Sequence, residues 1–564
     1  MTPRVDPQEP GQDTALEDEA EAWQEECERS VPAEPRRFNR SGIEIKPLYS
    51  PLDWNASTYA DDLGFPGQFP YTRGVHPSMH RGRPWTPRMV VGLGTPEDYN
   101  DRMRTLYETG LTGLFVSPCN SHLRGYDADE VHRELLGTCG TLICTTDDMA
   151  RCVDGLKIEQ ESVSIGDTAP YTLSAMFLVV AERRGLSIGD LAGTTNQSDY
   201  LSHYAALQMF FRLALPGQRR VLLDHIDWMN NHVPRWNPLS VVAQHMEEAG
   251  ATPAQAVGFT LSSAIQYAQD LIERGRDPDQ FLPRFSFFMS CSMSFFEEIA
   301  KFRAARRVWA HIVKDRFGTT DPRSSRLRFH AQTSGADLTR EQPLNNIARV
   351  TVQAMAGIFG GLQSLHTDSY DEAISTPTPS TVRISVATQN ILRHEAHLDD
   401  VIDPLAGSFY VESLTNQMAD EILHWVEEID SRGGMYEAVR TGYVQGIIGA
   451  SAMDHQLKVD SGEQTIVGVN DGLPEPSDGR PPPEISRPDP ASIDNYLEQL
   501  SAFRSDRDHG AVQRSLDELG HAFDTPDENT YGKVVDAIRA GATHGEVCAR
   551  VRDVVGFGQP YVSV

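Results

Sequence analysis

Leu327-Arg-Phe-His-Ala-Gln332, then Asn345 to Ile358, then Leu362-Gln-Ser-Leu-His-Thr367 reads as a strand, a helix and a second strand. The outer runs are short and β-rich, with polar residues interleaved, whereas the middle run is longer and amphipathic. Outward from this unit, the same alternation extends from Pro70 to about residue 400. Further candidate strands are Met89–Leu93, Gly113–Ser117, Ser162–Ile165, Leu191–Thr195, Leu239–Gln244 and Arg284–Met289. Helical stretches between them include Tyr171–Arg184, Thr252–Arg274 and Phe295–Phe317. Eight strands, each followed by a helix-length segment, is the count of a closed eight-stranded β/α (TIM) barrel, and a doubly wound open sheet is the alternative.

Such a barrel is normally packed inside with bulky branched residues. Here Ser162, Ser164, Ser240, Ser286, His330, Gln332, Gln363, Ser364 and His366 interleave the strands, so a hollow, hydrogen-bonding bore is expected. His330 and His366 are read near strand carboxyl ends, where barrel active sites are built.

The whole chain has 564 residues, with 50 Lys+Arg against 80 Asp+Glu and a net charge of −30. That carboxylate excess repels phosphodiester backbones, so no nucleic acid partner is expected. No apolar run approaches the roughly 20 residues of a bilayer span, so no membrane is expected either. Met1 to Glu34 is acidic and proline-dotted, unlike a secretory signal, and the seven scattered cysteines contain no Cys-x-x-Cys pair. The expected compartment is the reducing cytoplasm, and no metal site is read. Gly360-Gly361 and Gly92-Leu-Gly94 read as turns rather than phosphate loops. Arg81, Arg83 and Arg88 suit a small phosphorylated ligand, while Arg303, Arg306 and Arg307 read as half salt-bridged helix surface.

The reading divides the chain into an acidic tail (1–40), an N-terminal arm (41–84), the barrel (85–400), a helical extension (401–470), a proline-rich linker (471–490) and a small helical segment (491–564). Within the tail, Ala15 to Arg29 has the makings of a helix, and Thr525-Pro-Asp-Glu-Asn529 reads as a helix start in the last segment.

The string Phe69-Pro-Tyr-Thr-Arg-Gly-Val-His-Pro-Ser-Met-His-Arg-Gly-Arg-Pro-Trp-Thr-Pro-Arg88 closely resembles the start of the catalytic domain in the methylmalonyl-CoA mutase family. Collinear matches follow at Leu123–Asp129, Arg235–Ser240, His245–Thr252, Pro283–Phe288, Phe295–Arg306, Leu327–Gly335, Gln363–Ala373, Asp403–Ser408 and Val467–Asn470, so the likeness covers roughly residues 40 to 564. The resemblance implies a barrel threaded by the pantetheine arm of coenzyme A and capped by adenosylcobalamin, with a radical 1,2 rearrangement of an acyl-CoA. By the same resemblance His76, Ser78, Met79, Arg83, Thr86, Arg88, Arg284 and Ser286 hold coenzyme A, although His76 stands where the family usually has Tyr. His245 meets the thioester carbonyl, and His330 and Gln332 lie near the acyl group. Val90, Ser117, Gln197 and Gln363 line the substrate, while Pro118, Asn120, Glu248, Gly335, Glu372 and Ala373 adjoin the corrin.

An Asp-x-His-x-x-Gly motif and the cobalamin domain that carries it are not found, so the resemblance implies the large subunit of a split mutase. The lower cobalt ligand then comes from a separate small cobalamin-binding subunit, in a heterotetramer (a dimer of heterodimers), with a GTPase chaperone as a further partner. The acidic tail and the helical end are candidate docking elements. The family's carboxylate clamp is missing, since Val90 replaces its Tyr and Leu207 its Arg; a buried carboxylate without a cation costs several kcal/mol. The resemblance is therefore nearest to the 2-hydroxyisobutyryl-CoA and isobutyryl-CoA mutase large subunits. Ser117-Pro-Cys-Asn-Ser-His122 departs from the family pattern, and Ser117, Asn120, Ser121 and His122 are expected to hydrogen-bond a polar acyl end. The alternative is a subunit that binds acyl-CoA without turnover.

Overall fold

The computed structural model describes residues 12–30, 37–55, 57, 59–90, 92–208, 212–473, 485 and 487–562. A helix, Gln12–Ser30, precedes a small hairpin of β1 (Arg37–Phe38) and β2 (Glu44–Ile45). The parallel strands follow: β3 (Thr86–Pro87), β4 (Gly113–Val116), β5 (Ser162–Gly166), β6 (Gly193–Asn196), β7 (Trp236–Asn237), β8 (Leu239–Val242), β9 (Phe285–Cys291), β10 (Phe329–Thr333) and β11 (Ser364–His366). They form one sheet ordered β3-β11-β10-β9-β8 and another ordered β4-β5-β6-β7. Arg88, directly after β3, bridges Gly113 of β4. Between β7 and β8 stands only Pro238, which has no N–H for a ladder.

Strand residues of opposite parity face opposite ways. Leu114, Val116, Val163, Ile165, Val241, Phe287, Met289, Phe329, Ala331 and Leu365 join the apolar core with the surrounding helices. Burying one such side chain is worth about 1.5–3 kcal/mol. Side chains of the other parity, mostly polar, turn to the opposite side. The helices follow local signals: Pro253–Glu273 opens on a Thr252/Gln255 capping box with proline in its first turn, and Phe295–Phe317 stops at Gly318, whose φ is +61°.

Several sequence expectations are corrected. The strand expected at Met89–Leu93 lies at Thr86–Pro87, where Thr86 and Arg88 donate to the carbonyls of Gln363 and Leu365. Polar Thr86 and Arg88 line the bore, so the apolar pattern pointed three residues too late. Residues 525–528 form a turn, and the helix begins at Thr530 under an Asn529 cap. Arg303 and Arg306 are buried rather than superficial. Arg303 pairs with Asp403 and Glu412, while Arg306 donates to the carbonyls of Tyr71, Thr72 and Gly360.

Helices Phe409–Ser431, Met435–Arg440 and Tyr443–Ser461 lie within residues 401–470. Most of the expected linker, including residues 474–484, lies outside the described residues. The last four helices, from Pro490 to Val555, pack on the parallel-strand body rather than standing off as a solvated tail. Buried Asp127 accepts from Thr543 Oγ1, Gly545 N and Arg504 Nη2, and Tyr496 donates to Asp148 at 2.9 Å. Among the described residues no helix is long and apolar enough to cross a membrane.

Candidate active site

The inward side chains of the two sheets line one cavity of about 220 Å³. Its wall is knit internally: Ser240 Oγ donates to Asn196 Oδ1 at 3.2 Å, Asn237 Nδ2 to Thr194 Oγ1 at 3.2 Å, and Ser286 Oγ to Leu239 O at 2.9 Å. Arg88 donates to Ser162 Oγ at 2.7 Å and to Leu114 O at 3.3 Å, and burial pushes its guanidinium down to about 10. Gln363 is likewise committed to the wall, accepting from Phe329 N and donating to Gly361 O. Among the described residues His330 Nε2, Asn237 Oδ1 and Arg88 Nε are buried without a partner. A stranded polar group costs about 1–3 kcal/mol, so these atoms invite ligand groups. His330 also corrects the sequence reading, because it is the second residue of β10 and faces the cavity midway, with Nδ1 2.8 Å from Ser364 Oγ.

Residues that precede the strands line one mouth. His76, Met79, Arg83 and Arg328 border the cavity there, beside half-buried Arg284. Ser78 stands just before the short helix Met79–Gly82 and outside the lining. The His76 ring is lowered by burial and then by Arg326, Arg328 and Arg83. Arg328 is pushed down to about 10 by burial, Arg284 and Arg326. Cations crowded at one rim favour a polyanion.

Residues just beyond the strands lie on their carboxyl side: Val90 after β3, Ser117 after β4, Gln197 after β6, His245 after β8, Gly335 after β10 and Asp368 after β11. Asp368 is the hub. Its Oδ1 accepts from His366 Nε2 at 3.0 Å and from Gln332 Nε2 at 3.3 Å, and its Oδ2 from Thr333 Oγ1 at 3.0 Å. His366 Nδ1 in turn accepts from Val90 N at 3.1 Å. His245 is buried on the short helix Gln244–Glu248, 3.4 Å through Nδ1 from Ser202 Oγ, with its ring 5.0 Å from that of His203. Burial alone lowers its imidazole to about 3, so the ring is neutral. Glu248 accepts from Gly335 N at 3.3 Å; burial, then Asp368, raise it to about 8. Glu372 is solvent-accessible at the rim, yet the surrounding protein, then Asp368 and Glu248, raise it to about 8 as well. Ala373 beside it is exposed.

The segment 117–122 does not do what the sequence suggested. The His122 ring is buried, stacked on His544 at 3.4 Å, with Nδ1 3.1 Å from Ile143 O. Its carbonyl accepts from Arg212 at 2.7 Å and His544 at 2.8 Å. Ser121 is buried too, Asn120 opens the four-residue helix Asn120–Leu123, and Pro118 pairs with Thr141, which leaves Ser117 nearest the strand end. Leu207 has φ +50° and lies 42 % exposed just past the helix Tyr200–Ala205. The sequence reading also missed wall and rim residues: Thr194, Asn196, Asn237, His80 and Arg328. Their signal was available as the period-two pairs Thr194/Asn196 and Arg328/His330.

The chain is thus a parallel α/β protein with a polar cavity that is cationic at the strands' amino ends, and a neutral imidazole, His245, lies beyond their carboxyl ends. The family model described as methylmalonyl-CoA mutase matches residues 38–557. The chain belongs to that family and is an enzyme of the mutase, or isomerase, class. It is similar to the 2-hydroxyisobutanoyl-CoA mutase large subunit of Aquincola tertiaricarbonis, 35% identical over 536 residues that cover 94% of each chain. It is also 37% identical to the mitochondrial methylmalonyl-CoA mutase of Homo sapiens, over 91% of this chain and 68% of that one. The methylmalonyl-CoA mutase of Rhizobium meliloti is 35% identical over 95% of this chain and 75% of its own.

Proposed function

We propose that this chain is the acyl-CoA-binding large subunit of an adenosylcobalamin-dependent mutase that interconverts a branched or hydroxylated acyl-CoA with its linear isomer. The observation that carries this reading is a polar cavity with cations at one end and a neutral imidazole beyond the other. In this reading the two sheets are halves of one closed eight-stranded barrel. The Arg88–Gly113 bridge supports one seam and the near-continuous run Trp236–Val242 the other.

Arg83, Arg328 and Arg284 bind the coenzyme A phosphates, and the hydroxyls and amides of the wall meet the pantetheine. The neutral His330 offers its unpartnered Nε2 to the arm passing it. In this reading His245 carries its proton on Nε2 and donates it to the thioester carbonyl, with Nδ1 turned to the Ser202 hydroxyl. That bond strengthens as charge develops on the oxygen.

The carboxyl-end residues fit a corrinoid. Glu248, whose carboxyl burial and Asp368 raise to about 8, and the Gly335 amide offer donors and acceptors suited to amide and hydroxyl groups, with Glu372 beside them at the rim. When bound there, adenosylcobalamin supplies the radical chemistry, while this chain orients the acyl group and excludes water. Mutual 94% coverage with a protein named a large subunit supports a small cobalamin-binding partner that brings the lower ligand.

A substrate without a free carboxylate follows from the cations present. Arg212, buried near this end, spends its guanidinium on the carbonyls of Thr168, Ala169 and His122. Val90 offers only an aliphatic side chain. The test is a screen of 2-hydroxyisobutyryl-, 3-hydroxybutyryl-, isobutyryl-, pivalyl- and methylmalonyl-CoA with the partner subunit and adenosylcobalamin. We expect turnover of a carboxylate-free acyl-CoA; preference for methylmalonyl-CoA would refute the substrate class.

A further inference from the structure

Lys301 is fully buried, and its ammonium touches three elements at one point. It donates to Glu247 of the helix Gln244–Glu248 at 2.9 Å, to Glu298 of its own helix Phe295–Phe317 at 2.5 Å, and to the Ser290 carbonyl of β9 at 2.9 Å. Ser292 Oγ adds a 2.8 Å bond to Glu298. Burial opposes the ammonium, but Glu247 and Glu298 prevail and keep it charged. Burying such ions costs several kcal/mol each, and an apolar cluster of similar volume does as well for stability. A buried cation at this junction therefore needs a reason other than stability.

The helix Gln244–Glu248 supplies one. Five residues are far fewer than the 12–15 or so that hold a helix by themselves, and its N-terminus has no side-chain cap. Residues two apart on a helix are about 200° apart, so Glu247 faces away from His245 and toward the core, while Glu248 returns to the His245 side. Fixing Glu247 from behind sets the rotation and height of the whole turn. The Ala243 amide, held by Phe288 O at 2.8 Å, fixes only its start.

We propose that Lys301 is a positioning residue: through Glu247 it holds the turn that presents His245 and Glu248 to the carboxyl end of the cavity. The functional part of this inference rests on the reading of His245 given above.

The test is amide hydrogen exchange on the full chain carrying Glu247→Gln, which keeps the side chain's size and leaves Lys301 bonded to Glu298. We expect residues 243–249 to exchange at least about tenfold faster, while 253–273 and 295–317 keep their protection. Lys301→Met, read over the same segments, is the second variant. Unchanged exchange at 243–249 overturns the proposal. So does acceleration spread equally over the flanking helices, which marks a general stabilising role. In the complex with the partner subunit and adenosylcobalamin, Glu247→Gln should lower kcat for 2-hydroxyisobutyryl-CoA about tenfold at unchanged KM, and undiminished kcat contradicts the functional part. The parallel variant His245→Ala separates the two claims: if it keeps full turnover, the reading of His245 fails whatever happens to the exchange at 243–249.

Discussion

Arg328 borders the cavity at the strands' amino ends and His245 follows β8 on the carboxyl side, and their substitutions should separate in kinetics. On the proposed role, His245→Ala removes a donor to the thioester carbonyl whose bond strengthens in the transition state, so kcat should fall about 10²- to 10³-fold with little change in acyl-CoA affinity. Arg328→Ala should instead raise KM and leave kcat nearly unchanged, because a phosphate contact is equal in ground and transition states. Equal effects of the two on kcat would contradict these roles. His245 was legible in the sequence because it sits in a motif. Arg328 was not, because an arginine at a strand's start looks like wall until the fold sets it beside Arg83 and Arg284. A third residue tests electrostatics. Burial raises Asp167 from 3.8 to about 7, against the pull of Arg212 and the Ser174 amide. A folded pKa above the unfolded one gives stability that is full below pH 4 and lost as pH rises through about 7. Asp167→Asn removes that titration, so its melting temperature relative to wild type should climb between pH 4 and pH 7 and level off beyond; a pH-independent gap would contradict the shift.

Among the elements, the long helices were read almost to the residue, since Phe295–Phe317 and Pro253–Glu273 carry their own apolar faces and end signals. The strand β3 was misplaced because the side chains that line the cavity there, Thr86 and the following Arg88, are polar. The segment 117–122 was misread for a different reason. What the His122 ring meets is decided by His544, more than 400 residues away in the chain, and local pattern holds no trace of that packing. Those terminal helices are joined to the strand-bearing body through Asp127, whose carboxylate takes three donors. Asp127→Ala strands the Thr543 hydroxyl and the Gly545 amide and leaves Arg504 with Asp129 alone, and should cost about 2–4 kcal/mol, read as a lower melting temperature with exchange accelerating first in residues 509–555. Loss of protection spread evenly over the chain would show that the segment is not a separate layer of stability.

For the molecule as a whole, the fold and the reaction make one arrangement. Parallel strands set every amino end on one side and every carboxyl end on the other, so the cations and the neutral imidazole are separated by the strand length. Replacing branched side chains by serines and asparagines inside the strands gives up apolar packing and leaves a polar passage between those ends. A sequence of net charge −30 thus still carries a basic mouth, which is a property of placement and not of composition. The central claim is that acyl-CoA in this cavity is coupled to radical chemistry at its carboxyl end. The most direct measurement is electron paramagnetic resonance of the chain mixed with its small partner subunit, adenosylcobalamin and each of the five acyl-CoAs. The account predicts a signal from an organic radical coupled to cobalt(II) with at least one carboxylate-free acyl-CoA, and none when either subunit is omitted. Tight acyl-CoA binding with no paramagnetic signal from any of the five would contradict it, and would make the chain a binding subunit without turnover.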